Sequence, residues 1–223
     1  VVQQLPVACY ADRVKQELSG NGGRRMKIAP GIDAEDWKRL DLTKPDSPDW
    51  DQAIAILDKR IRGRFTDAID VLIAGDARRP VTERRFGFAI LALDSFLVET
   101  LEAFRRGLRN TRSQSKDLCV SFLTHRTAFK QFFTDELATR FYYEFRCGLA
   151  HNAQVFGTGR IWSIGPLLQL QGDRITVNRS AFHQALLAEL QEYLAELGNP
   201  ANIVLRDNFR MKMDFIAEGK CAR

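Results

Sequence analysis

Apolar residues recur three and four positions apart along most of the chain, the period of an amphipathic helix. Ile54, Leu57, Ile61, Phe65, Ile69 and Leu72 form one such stripe. Ser47-Pro48-Asp49-Trp50 precedes it with a capping serine, a proline suited to the first helical position and an acid at the positive end of the dipole. A long helix is therefore expected from there to about Ala74, stopped by Gly75 and Pro80. A second is expected from Val81 or Thr82 to Leu108. Phe88, Leu91, Phe96, Leu97, Thr100, Leu101 and Phe104 cover more of its circumference than one stripe needs, which predicts a central helix.

Shorter elements surround these two. Val7 to Leu18 reads as a helix closed by Ser19-Gly20-Asn21-Gly22-Gly23, the stretch to Gly31 as a loop, and Asp33 to Leu40 as one or two helical turns. Asn110 to Lys116 is a polar loop and Asp117 to His125 a helix, followed by an aromatic cluster of Phe129, Phe132 and Phe133. Thr134-Asp135-Glu136-Leu137 starts the next helix with a cap and early acids. The period then changes. Short alternating runs around Gly172-Asp173 predict a β-hairpin within residues 160–178. Ser180 is read as the cap of a last strong helix, Ala181 to Leu197, stopped by Gly198-Asn199-Pro200. Phe209, Met211, Met213 and Phe215 alternate, so the helical signal over Asn208 to Phe215 is weak. The fold class expected is mainly α: an antiparallel helical bundle with a small β-hairpin before the last long helix.

Composition narrows the picture. At 223 residues the chain can bury a core of its own, with residues 1–80 expected as a helical segment packed on a bundle of residues 81–223. A hydrophobic fraction of 45% and a charged fraction of 27% are those of an ordinary globule. The longest apolar run, Phe86 to Val98, is broken by Asp94 and Ser95 and is too short to span a bilayer, so no membrane is expected. The four cysteines form no C-x-x-C pair, and none of the three histidines stands four positions from another. That pattern calls for no metal and no cofactor, and fits a reducing, cytoplasmic location. The net charge of +5 favours acidic partners, RNA first among them. Basic clusters at Arg24–Arg25, Lys59–Arg64, Arg78–Arg85 and Arg105–Arg112 are either solvated helix faces or a phosphate-tracking surface.

The candidate chemistry sits in Phe141 to Ala153, FYYEFRCGLAHNA. Histidine exchanges protons near neutral pH and arginine holds a phosphate through two parallel hydrogen bonds. Arg146 and His151 together therefore have what metal-free RNA cleavage needs: a base for the ribose 2′-OH and a cation for the charge that grows on phosphorus. On an ideal helix the two lie roughly 140° apart, so a kink or a second chain is needed to bring them to one site. Gly148, with Cys147 and Ala150, makes a small-residue patch that lets another helix or a backbone come close, and predicts that the polar end of this helix is pressed against a partner. Asp94 and Glu99, carboxylates on the central apolar helix, each face water or need a partner. His183 reads as a surface or capping residue, and Trp50 and Trp162 as core or hairpin packing. Cys147 as a nucleophile beside His151 leaves little room for a substrate.

The blocks LDSFLVETLEAF, FYYEFRCGLAHNA and IWSIG, the last followed by ITVNRSAFHQALLAELQEYL, resemble an uncharacterised bacterial group of the HEPN superfamily over residues Val81 to Leu197. Arg146 and His151 match the Arg-x4–6-His signature of that superfamily. The resemblance implies a helical bundle, usually a homodimer with motif helices meeting in a basic cleft. In active members it implies a metal-independent endoribonuclease (RNase) in toxin–antitoxin or other defence systems, with an antitoxin protein as a further partner. Other members are non-catalytic scaffolds or dimerisation modules. Arg146 and His151 are thus the candidate catalytic residues. Asp94 or Glu99 would orient one of them, and Tyr143, Cys147 and Asn152 would support the site. The residue after the arginine is commonly polar, such as asparagine; here it is Cys147. No tyrosine follows His151, where the chain has Asn152 and Ala153, so modification by a partner nucleotidyltransferase is not implied.

Overall fold

The computed structural model describes residues 26–219; the helix expected at Val7 to Leu18 lies outside them. The fold is mainly α with small sheets. A hairpin of β1 (Lys27–Ala29) and β2 (Ile32–Asp33) turns at Gly31 and leads into α1 (Ala34–Lys38). Asp33 and Asp36 form a reciprocal capping box there. This hairpin replaces the loop expected to Gly31. Strands of two and three residues are too short to leave an alternating pattern.

The first long helix forms as α2 (Asp49–Ile61) and α3 (Asp67–Ala77), joined without a break by a π-helical turn at Arg62–Thr66. A π turn adds one residue to the spiral and rotates everything after it. The buried positions accordingly run Ala53, Ile56, Leu57 and Ile61, then Thr66, Ile69 and Asp76. Gly63 sits in that turn where a β-carbon would stand 2.4 Å from Pro30 Cγ, so the helix and the first hairpin touch there. The neighbouring basic cluster fastens the same contact. Arg60 donates to the Ile28 carbonyl and Arg64 Nη2 to the Lys27 carbonyl at 2.8 Å.

A 3₁₀ turn (Val81–Glu83) precedes α4 (Gly87–Arg105), the central helix. The apolar run thus makes a shorter helix than Val81 to Leu108. Asp76, fully buried, accepts the Phe86 and Arg85 backbone N–H groups at 2.9 and 3.2 Å and so bends residues 78–86 into a connector. Next come α5 (Ser115–His125) and α6 (Asp135–Phe141), whose cap Thr134 accepts the Leu137 N–H at 3.2 Å. A second π turn (Tyr142–Cys147) leads into α7 (Gly148–Asn152). After α7 the chain forms β3 (Arg160–Trp162), β4 (Leu168–Gln171) and β5 (Arg174–Asn178). Strands β4 and β5 are the expected hairpin, and β3 adds itself parallel to β5. Helix α8 (Arg179–Gly198) is capped by Asn178, not Ser180: its side chain accepts the Ser180 and Ala181 N–H groups. Finally α9 (Ile203–Glu218) buries Arg206, Phe209, Met213 and Ala217 at helical spacing.

One hydrophobic cluster runs from Ile28 through Trp50, Leu97, Phe122, Phe145 and Leu190 to Ala217. Helix α4 packs against α5, α8, α9 and the motif segment, which is the central position its apolar circumference demands. Among the described residues no helix is long and apolar enough to cross a membrane.

Candidate functional site

Helix α6 aims the motif segment by its aromatic face. Phe141 and Phe145 are fully buried and stack on each other at 5.3 Å, and Phe141 stacks on Phe182 of α8 at 5.2 Å. With these rings fixed in the core, the π turn carries Arg146 against α4. There Glu99 takes its guanidinium in a two-pronged pair, Nε to Oε1 and Nη2 to Oε2 at 3.2 Å. The side chains are only 16% and 9% exposed. The rings of Phe96 and Tyr142 lie 5.6 and 5.7 Å from the same guanidinium. Burial works against the Arg146 charge, but the hydrogen bonds and charge of Glu99 outweigh it and raise the pKa. Glu99 is thus the acid that pairs with Arg146, while Nη1 of Arg146 makes no hydrogen bond among the described residues.

Of the supporting residues, Cys147 stands beside this pair. Burial, then a hydrogen bond to Cys147, push the Tyr142 phenol up to about 12. Across from it, Cys119 is completely buried and its thiol is held far above the usual range by desolvation. Tyr143 points the other way, 53% exposed, with Lys116 Nζ 5.3 Å from its ring.

His151 and Asn152 are exposed at the end of α7 and make no hydrogen bond or ion pair among the described residues. Nor does any bond join His151 to Arg146. Arg140 and Glu144 pair at 2.9 Å, and Arg140 also reaches the Asp173 carbonyl at 2.9 Å. Arg140 and Glu144 are thus tied to the β4–β5 turn and not to His151.

The space above Gly148 is filled, and not by another helix. Ala153 adopts a left-handed conformation (φ 50°), and the chain doubles back so that Gln154 N–H bonds the Gly148 carbonyl at 3.2 Å. A β-carbon on Gly148 would meet the Gln154 carbonyl oxygen at 2.3 Å and Phe156 at 3.5 Å. The small residue serves the chain's own return and does not by itself admit a partner.

Asp94 does not reach the motif. It is fully buried and binds His183 Nδ1 at 2.8 Å, with Asp70 3.4 Å from the other ring nitrogen. His183, expected at the surface, is therefore a core residue. It shares the stripe of Phe182, Leu186 and Leu190, and that spacing was the available signal. Burial raises the Asp94 carboxyl to about 6 against the pull of His183. Desolvation lowers the His183 pKa, but Asp94 and Asp70 more than offset it, and the net shift is upward. Sequence reasoning also missed Asp76, whose oxygens accept Arg179 Nη2 at 2.7 Å and Arg79 Nη1 at 3.1 Å besides the two backbone groups. Trp50 is buried beneath Arg206, but Trp162 lies 48% exposed and is not core packing.

No group of three or more histidine, cysteine, aspartate or glutamate side chains among the described residues is placed to hold a metal. In comparisons with known proteins, no family model matches the chain, and neither a curated protein nor a solved structure is significantly similar to it.

Proposed function

We propose that the chain is an RNA-binding protein of HEPN type that cleaves RNA without a metal, with Arg146 and His151 acting on one phosphodiester across a homodimer. The observation that carries this reading is the division of labour on one segment. Among the described residues, Arg146 is held by Glu99 yet keeps Nη1 uncommitted, while His151 is exposed with its ring unbonded. An arginine already oriented needs no rearrangement to meet a phosphate, and an exposed imidazole is free to take a proton. In the reaction His151 removes the 2′-OH proton and the 2′-oxygen bonds to phosphorus. The bond to the 5′-oxygen breaks, that oxygen takes a proton from water, His151 returns its own proton to water, and Arg146 holds the non-bridging oxygens.

A second reading, a non-catalytic dimerisation module, is favoured by the small exposure of the Arg146–Glu99 pair, which also suits a purely structural clamp. The two separate in one assay. Labelled RNA is incubated with EDTA and wild type, His151→Ala or Arg146→Lys, each verified as folded by circular dichroism. Cleavage by wild type that falls at least roughly 100-fold in both variants supports the nuclease. Equal cleavage by all three eliminates the proposed mechanism, and intact RNA with all three leaves the module.

A further inference from the structure

The N-terminal end of α4, twelve residues and so about 18 Å along the helix from Glu99, opens into a cavity of 440 Å³. It lies between the 3₁₀ turn, the first turn of α4 and strand β3, with Arg179 of α8 also lining it. Among its lining residues three are arginines (Arg84, Arg85 and Arg179) and none is acidic.

Among the described residues, each arginine has a donor without an acceptor. The Arg179 side chain is 3% exposed; Nη2 binds Asp76, and Nη1 is buried with no partner. Arg84 donates Nη1 to Ser163 Oγ at 3.0 Å, while its Nε is buried and unpaired. Arg85 gives its backbone N–H to Asp76, and its exposed guanidinium makes no ion pair among the described residues. Buried donors are nearly always satisfied, so two orphans at one cavity point to a missing acceptor. Asp76 cannot supply it, because its two oxygens already take four donors. Burial lowers the Arg179 pKa and the charge of Arg84 lowers it further, so an anion here would relieve both.

Two further features define the ligand. Phe86, the cap residue of α4, makes no side-chain hydrogen bond, so the amides that follow it in the first turn have no capping side chain from it, while Asp76 takes the amides of Phe86 and Arg85. Gly87 lets Arg179 and β3 close in on this end of the helix: a β-carbon there would stand 3.0 Å from Ile161 and 3.3 Å from Arg179. Phe88 and Trp162, 42% and 48% exposed, line the same cavity. Several guanidinium groups suit a doubly charged phosphate better than a carboxylate, for which one arginine suffices. The rings suit a planar base.

We propose that this cavity is a nucleotide site, in which Arg84, Arg85 and Arg179 hold a phosphate and Trp162 or Phe88 stacks on the base. The site uses neither Arg146 nor His151 and does not depend on RNA cleavage. The phosphate belongs either to a free nucleotide or to the 5′ end of an RNA strand.

Isothermal titration calorimetry with AMP, adenosine, inorganic phosphate and a 5′-phosphorylated adenylate trimer tests it. Wild type is compared with Arg85→Ala and Trp162→Leu, two exposed side chains that make no hydrogen bond to Asp76. Saturable binding of AMP is expected, weaker for inorganic phosphate and absent for adenosine. Arg85→Ala should weaken AMP roughly tenfold. Trp162→Leu should weaken AMP roughly fivefold or more and leave inorganic phosphate unchanged. Tighter binding of the trimer than of AMP identifies an RNA end, and the reverse a free nucleotide. The proposal is overturned if neither AMP nor the trimer binds at about 5 mM. It is equally overturned if Arg85→Ala binds AMP as wild type does.

Discussion

The pair between Arg146 and Glu99 decides how the motif segment is held, and it can be taken apart one side at a time. Glu99→Gln keeps the volume but replaces a charged acceptor with an amide whose N–H₂ faces the guanidinium. Arg146→Met keeps an unbranched stem against Phe96 and Tyr142 and removes the charge. Removing one partner of a fully buried pair costs about 3–5 kcal/mol. Arg146 retains 16% exposure, so about 2–3 kcal/mol is expected for each single change. For a chain of this size that is a fall in Tm of about 4–12 °C. The double variant leaves no orphaned charge, so it should cost less than the two singles together, by about 1–3 kcal/mol. Urea denaturation followed by circular dichroism at neutral pH measures all four proteins. A coupling below about 0.5 kcal/mol, with both singles folded, would show that the pair is incidental and that Glu99 does not orient Arg146.

Three other outcomes stem from buried groups. His183 and Asp94 both have folded pKa values above their unfolded ones, so the folded protein binds more protons than the unfolded chain. The stabilisation His183 provides is complete below its unfolded value of 6.5 and is lost as pH rises through its raised folded value. The carboxyl of Asp94 adds a loss in the same direction between 3.8 and about 6. Urea midpoints at acid and mildly alkaline pH should therefore differ less in His183→Gln than in wild type; an unchanged difference would refute the linkage. Asp76→Ala strands the buried Arg179 and frees the amides of Arg85 and Phe86, and should cost about 3–5 kcal/mol in denaturant unfolding. Gly148→Ala drives a β-carbon into a backbone carbonyl, and a loss of about 1–3 kcal/mol is expected; a neutral result would mean the return turn at Ala153 to Phe156 is not closely packed.

The long helices were legible because their stripes obey one period, and Asn208 to Phe215 shows where that legibility stops. Arg206, Phe209, Met213 and Ala217 do form a helical stripe on α9. Met211, 46% exposed, lies off that stripe and produces a false alternation. The first of the buried residues is an arginine that rests on Trp50 at 3.6 Å, a position no hydropathy pattern marks as core. The π turns at Arg62–Thr66 and Tyr142–Cys147 were invisible for another reason. They are choices of hydrogen-bond partner that leave composition unchanged and shift the helical phase of the residues after them. In the site, a carboxylate on an apolar helix announced the need for a partner, and Glu99 has one in Arg146. It could not say which partner. Asp94 has the same signature, yet its partner stands 89 positions away on another helix.

The three buried acids of α4 together suggest how so apolar a helix holds a single arrangement. A surface of Leu91, Leu97, Val98, Leu101 and Phe104 attracts every neighbour alike, because hydrophobic burial has no direction. Asp94, Glu99 and Glu102 do have direction. At 100° per residue the latter two lie roughly 140° and 80° round the helix from the first, so the three fan outward to different neighbours. Asp94 engages His183 on α8 and Glu99 engages Arg146 on the motif segment. Glu102 engages Ser121 of α5 at 2.9 Å and Arg106 at 2.9 Å, with Arg126 at 3.6 Å. Each acid would be left unpaired if its neighbour were exchanged for another, a penalty that apolar contacts cannot impose. Replacing one acid by an isosteric apolar residue together with its partner should therefore cost little stability, and a uniquely packed α4 should be lost first. Sharp amide dispersion in a two-dimensional NMR spectrum of an Asp94→Leu, His183→Leu double variant would argue against that role for the pair.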